Sequence, residues 1–148
     1  MAEWMLRNML HGSDLDNRVS VLSAGLSAMP GGSMSPGTMR ALLKRGIALG
    51  TSRHVSHSLS AQQVQEADLV LTMTLFQKGH IIQQYPDAAR KVYTLREYGL
   101  LGANLQDQML ELDIADPFGG RDDQYELTAD EIADACEKVL LRLHQELA

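Results

Sequence analysis

Apolar side chains at Met1, Trp4, Met5, Met9 and Leu10 follow the i, i+3, i+4 spacing of a helix with one buried face, and Gly12 supplies its stop. No Ser, Thr, Asp or Asn stands ahead of that face to cap the free N–H groups of the first turn. After the polar turn HGSDLDNR, residues 18–25 (RVSVLSAG) alternate β-branched and small polar positions and predict a strand. Residues 29–36 form a loop, in which Ser35 and Pro36 give an N-cap and a first-turn proline to a helix running to Lys44-Arg45-Gly46. Residues 50–58 show no regular pattern, and Ser60-Ala-Gln-Gln63 is a capping box for a short helix before Ala67-Asp68.

The run LVLTM at 69–73 is nearly continuous in apolar residues, as expected of a strand covered on both faces. Thr74 caps a helix that ends by Tyr85, Pro86 opens a turn, and Lys91-Val-Tyr-Thr-Leu95 predicts a third strand. Residues 96–124 read as one long connection holding Asp113-Ile-Ala-Asp-Pro-Phe-Gly-Gly120, the kind of loop that in compact domains tends to carry function. Thr128-Ala-Asp-Glu131 reads as the capping box of the last helix, whose Ile132, Ala135, Val139, Leu140 and Leu143 form an apolar side. Strands separated by helices argue for an α/β fold with a parallel sheet and right-handed crossovers, the last helix closing over one face.

With 148 residues, 45% hydrophobic and 22% charged, a single domain spanning 1–148 is the expectation. The net charge of −6 argues against a nucleic-acid partner, which requires clustered Lys and Arg, but leaves room for a small phosphorylated ligand held by backbone N–H groups and one arginine. The apolar runs are too short to cross a bilayer and there is no signal-peptide pattern, so a cytoplasmic protein without a membrane partner is expected.

The one cysteine, Cys136, excludes an internal disulfide and a thiolate cluster, and its place inside the last helix marks it as an inert core thiol. His54 and His57 have HxxH spacing but no third ligand or accompanying Glu, so they are expected to be loop histidines and no metal is expected. Met29 and Met34 read as core and loop filler. Asp116-Pro117 by itself reads first as an ordinary turn opening, with a carboxyl fixed above a sheet edge beside the aromatic Phe118 as the functional alternative. Ser23-Ala-Gly25, at a strand end, is ambiguous in the same way, although ligands of open parallel sheets bind beyond the carboxyl ends of strands.

The order Ser23-Ala-Gly25, Arg45-Gly46-Ile47, Glu66-Ala-Asp-Leu-Val-Leu-Thr-Met-Thr74, Lys91-Val-Tyr-Thr-Leu-Arg-Glu-Tyr98 and Asp116-Pro-Phe-Gly-Gly120 resembles the low-molecular-weight protein tyrosine phosphatase family along the full chain. It is most similar to the bacterial branch, which includes protein-arginine phosphatases. The resemblance implies a three-layer αβα fold with strand order 2-1-3-4 and hydrolysis through a phosphocysteine, without a cofactor.

In that family a CxxxxxRS loop joins the first strand to the first helix and is often followed by MAE, the residues with which this chain starts. The resemblance therefore implies an N-terminally truncated domain that lacks strand 1, the nucleophilic cysteine and the phosphate-binding arginine. Losing a central strand forfeits about ten backbone hydrogen bonds worth about 0.5–1.5 kcal/mol each, so such a chain is not expected to hold the family fold unchanged.

By the resemblance, Asp116 is the general acid and base, Phe118 and Met29 line the substrate entrance, and Ser23 and Gln77 support the phosphate loop. Gln77 stands where relatives often place His. The expectation is an inactive chain of a longer enzyme acting on phosphorylated proteins or aryl phosphates, or alternatively a non-catalytic binding or regulatory module. A thioredoxin-coupled arsenate reductase needs further cysteines to relay a disulfide, and the sequence has none.

Overall fold

Two short strands organise the molecule. The computed structural model describes residues 1–50, 54–101 and 111–148. Strand β1 (Val70–Thr72) pairs in parallel with β2 (Val92–Thr94), with Val70 opposite Val92 and Thr72 opposite Thr94. Successive side chains point to opposite faces, so Leu69, Leu71, Met73 and Tyr93 join one core and Val70 and Val92 another.

The larger core lies under α1 (Ala2–Leu10), α2 (Pro36–Lys44), α5 (Leu95–Leu100) and α6 (Asp122–Glu146). The smaller lies under α3 (Ala61–Glu66), α4 (Leu75–Gln84) and the 3-10 turn Pro86–Lys91. Helices thus cover both faces of a parallel pair, as the apolar run at 69–73 predicts. None of the described helices is long and apolar enough to cross a membrane.

Capping explains most element boundaries. Ser35 Oγ accepts from Thr38 N–H at 3.3 Å to start α2, and Gly46, at φ 71°, turns the chain after it. Ser60 and Gln63 close the capping box of α3. Thr74 and Gln77 close that of α4: Thr74 Oγ1 accepts from Gln77 N–H at 3.1 Å, and Gln77 Oε1 accepts from Thr74 N–H at 3.3 Å. At the start of α1, Met1 gives no side-chain cap. Met5, Leu6 and Leu10 are its buried residues.

Three expected boundaries differ. The strand predicted over 18–25 does not form: apart from one parallel bridge between Gly25 and Ser58, no ladder partner meets it among the described residues. Alternation specifies which face of an extended segment is half-buried, but a strand also needs a neighbour. Of the three strands the sequence predicts, the two at 69–73 and 91–95 pair as β1 and β2.

The connection predicted over 96–124 begins instead with α5, opened by a Thr94/Glu97 capping box; its residues 102–110 lie outside the described residues. Helix α6 starts at Asp122 rather than near Thr128, its entry closed by Arg121 N–H donating to Gln124 Oε1 at 2.8 Å, with Asp122 and Asp123 in the positive first turn. Thr128 is instead buried within α6, where its hydroxyl donates to the Ala115 carbonyl at 3.5 Å.

Candidate active site

The loop carrying Asp116 is fastened to the carboxyl end of β1. Ile114, 2% exposed, donates its N–H to the Met73 carbonyl at 2.9 Å, and the Asp113 carboxylate accepts from Leu75 N–H at 2.7 Å. From α5, the Arg96 guanidinium donates to the carbonyls of Glu111 and Asp113 at 2.8 and 3.0 Å and lies 3.3 Å from the Glu131 carboxylate on α6. Beyond these ties Asp116 is exposed, and its Oδ1 accepts from Phe118 N–H at 3.0 Å, an Asx turn that sets its direction. Gly119, at φ 78°, then reverses the chain, Gly120 N–H donating to the Pro117 carbonyl at 2.8 Å. Phe118 is left 79% exposed.

Gln77 also belongs to this edge. Its Oε1 accepts from Met73 N–H at 2.9 Å as well as from Thr74, so the side chain fixes the turn from β1 into α4. The bond from Thr74 follows from the Thr74-x-x-Gln77 spacing of a capping box, whereas the bond from Met73 depends on how β1 enters α4.

Ser23 and Met29 lie in a second constellation. The Glu3 side chain, 10% exposed, pairs with Arg7 at 2.8 Å, accepts from the Ser23 hydroxyl and faces His54 Nδ1 at 3.8 Å. Arg7 also donates to the Val21 carbonyl at 3.0 and 2.7 Å, which ties the segment predicted as a strand to α1. Ser23 is therefore held by α1, in a surface recess of about 240 Å³ lined by Glu3, Trp4, Arg7, His54 and His57.

His54 is half-buried against Glu3 rather than a free loop histidine, while His57 meets the Gln63 amide at 2.9 Å. Met29, 81% exposed, rides on a loop held to Ser56 by Gly31 N–H donating at 3.0 Å and by Ser56 N–H donating to Gly32 at 2.8 Å. Among the described residues no hydrogen bond or ion pair joins this constellation to the Asp116 edge.

Cys136 is 0% exposed in the core of α6, and burial pushes its thiol up to about 12. It has neither the access nor the thiolate character of a nucleophile. No group of three or more His, Cys, Asp or Glu converges as a metal site among the described residues. A larger recess of about 630 Å³ between α2 and α6, lined by Arg40, Lys44, Asp122, Glu126 and Asp130, contains none of the sequence-predicted site residues.

Sequence reasoning missed the two ties of the Asp116 loop, Arg96 and Asp113, because their roles depend on which carbonyl and which helix they reach. It also missed Glu3 as the partner of Ser23, since that pairing joins residues of different elements.

Comparison with known proteins places this geometry. The family described as low molecular weight phosphotyrosine protein phosphatase matches residues 1–148. A protein-arginine phosphatase of Bacillus subtilis (strain 168) is 37% identical over 147 residues, covering 99% of this chain and 87% of that protein. The solved YwlE arginine phosphatase from Geobacillus stearothermophilus matches with a TM-score of 0.81 at 29% identity, over 98% of this chain and 84% of that one. The low molecular weight protein tyrosine phosphatase of T. tengcongensis gives a TM-score of 0.81 at 29% identity, over 96% of this chain and 88% of that one. The order of motifs, the parallel strands with helices on both faces and these matches agree: the chain belongs to the low molecular weight phosphotyrosine protein phosphatase family.

Proposed function

We propose that this chain supplies the acid–base and substrate-lining part of a phosphoprotein phosphatase of the phosphotyrosine or phosphoarginine kind. The observation that carries the reading is Asp116, exposed on a loop fastened at the carboxyl end of β1, where parallel sheets bind their ligands. In the proposed reaction a cysteine thiolate attacks phosphorus, forming the S–P bond as the bond to the leaving oxygen or nitrogen breaks. Asp116 gives that leaving atom its proton. The Asp116 carboxylate then takes a proton from water as the water attacks phosphorus, and the S–P bond breaks to release inorganic phosphate and the thiolate.

Phe118 and Met29 flank the substrate, while Gln77 and Ser23 brace the phosphate site. The 148 residues hold one cysteine, the buried Cys136, which supports a reading in which the attacking thiolate lies on a segment outside them. The 148-residue chain by itself is then a non-catalytic portion of the enzyme.

Two measurements test this. Asp116→Ala, in the native polypeptide carrying the phosphate-binding loop, is expected to lower turnover of an aryl phosphate by about 10²–10⁴-fold. Unchanged turnover would remove Asp116 from the mechanism. The purified 148-residue chain is expected to show no vanadate-sensitive hydrolysis, and robust turnover by it would overturn the placement of the nucleophile outside these residues.

A further inference from the structure

The segment 111–115 is held from three directions before the chain reaches Asp116. Arg96, at the start of α5, donates to two successive-turn carbonyls, Glu111 at 2.8 Å and Asp113 at 3.0 Å, and leans on Glu131 of α6 at 3.3 Å. Asp113 points the other way, its carboxylate accepting from Leu75 N–H at 2.7 Å at the first turn of α4. Between them Ile114 is buried and bonded to the end of β1.

One carboxyl of the loop is thus consumed as a tether, and the other, three residues on, is left exposed with its direction set by the Asx turn to Phe118. An exposed aspartate on an untethered loop would sample many positions, whereas proton transfer to a leaving group requires one.

We infer that Arg96 and Asp113 are positioning residues for the general acid: acting from opposite sides of the 111–115 segment, they hold Asp116 at the carboxyl end of β1. This rests on the acid–base role proposed for Asp116. Neither residue touches substrate. Their effect is therefore confined to the chemistry that Asp116 performs, and it should be largest for leaving groups that most need a proton.

The test pairs two esters with two backgrounds in the native polypeptide. Arg96→Met and Asp113→Ala are each expected to lower kcat/KM for phenyl phosphate by about tenfold, and that for 4-nitrophenyl phosphate, whose leaving group needs less protonation, by less than about twofold. In the Asp116→Asn background neither substitution should cost anything further. Asp113→Asn, which keeps an acceptor oxygen for Leu75 N–H, should retain most of the activity.

Equal losses on the two esters, or losses that persist in the Asp116→Asn background, would reduce both residues to general stabilisers and overturn the inference. If Asp116→Asn alone left phenyl phosphate turnover unchanged, the acid assignment itself would fail, a result distinct from either. A readout independent of activity uses the same native polypeptide. Amide exchange at Leu75 should accelerate in Asp113→Ala and at Ile114 in Arg96→Met, and unchanged protection at both positions would show that the ties do not hold the loop.

Discussion

Cys136 and Asp116 show how far a residue's type and neighbours determine its chemistry. The thiol is enclosed in the larger core, and because burial disfavours the thiolate, with Glu137 adding to the effect, it remains protonated at neutral pH. Cys136→Ala is therefore expected to cost about 1 kcal/mol of stability, read from a denaturant midpoint. In the unsubstituted protein a thiol reagent should label Cys136 only upon unfolding, and rapid labelling of the folded chain would contradict its burial. Asp113 and Asp116, three positions apart, are chemically identical in isolation. The resemblance to the phosphatase family singles out Asp116 through the Asp116-Pro-Phe-Gly-Gly120 motif. Only the contact with Leu75 N–H reveals that Asp113 is occupied as a tether.

At the scale of elements, local rules were legible wherever the controlling contact lies within one helical turn. Ser35-Pro36, the box at Ser60/Gln63 and the Thr74 cap start their helices as the sequence predicts. Thr94-x-x-Glu97 carries the capping-box signature and opens α5. The start of α6 was less accessible, because Thr128-Ala-Asp-Glu131 satisfies the capping pattern although Thr128 faces the core and bonds Ala115.

Close packing between elements leaves fainter traces still. A Cβ added at Gly37 would meet the Tyr125 ring at 2.5 Å, so this glycine permits the approach of α2 to α6. Gly37→Ala is expected to destabilise the protein by about 1–3 kcal/mol. Denaturant melts of the single and double variants should show most of that loss relieved by Tyr125→Leu, and simple additivity would argue against the clash.

Across the whole molecule, α6 ties distant parts of the chain together. Arg45 at the end of α2 donates to Glu126 Oε2 at 2.9 Å and pairs with Asp130, and near the other end of α6 His144 reaches the segment after α1. The His144 ring lies 2.9 Å from the Leu140 carbonyl and 2.8 Å from the Asp14 carboxylate, two acceptors that favour its protonated form. The Leu140 hydrogen bond, followed by that to Asp14, raises its pKa above the ordinary value of about 6.5. A raised folded-state pKa means that this contribution to stability is fully present below about pH 6.5 and is lost as pH rises through the folded value. The thermal midpoint should therefore fall between pH 6 and pH 9 by more in the unsubstituted protein than in His144→Gln. Parallel pH curves would refute the linkage.

What the sequence determined by itself was set by short-range periodicity and capping: the α/β alternation, the two strands that find partners, most helix starts, the buried cysteine and the ordered motifs of the phosphatase family. Tertiary structure decided what depends on a partner far along the chain. Residues 18–25 have the alternation of a strand but pair only through the single Gly25–Ser58 bridge among the described residues, Glu3 gathers Ser23 and His54 from separate segments, and Arg96 and Asp113 anchor the loop of Asp116. A side chain's identity fixes which bonds it is able to make, and only the folded chain fixes which partner stands within reach.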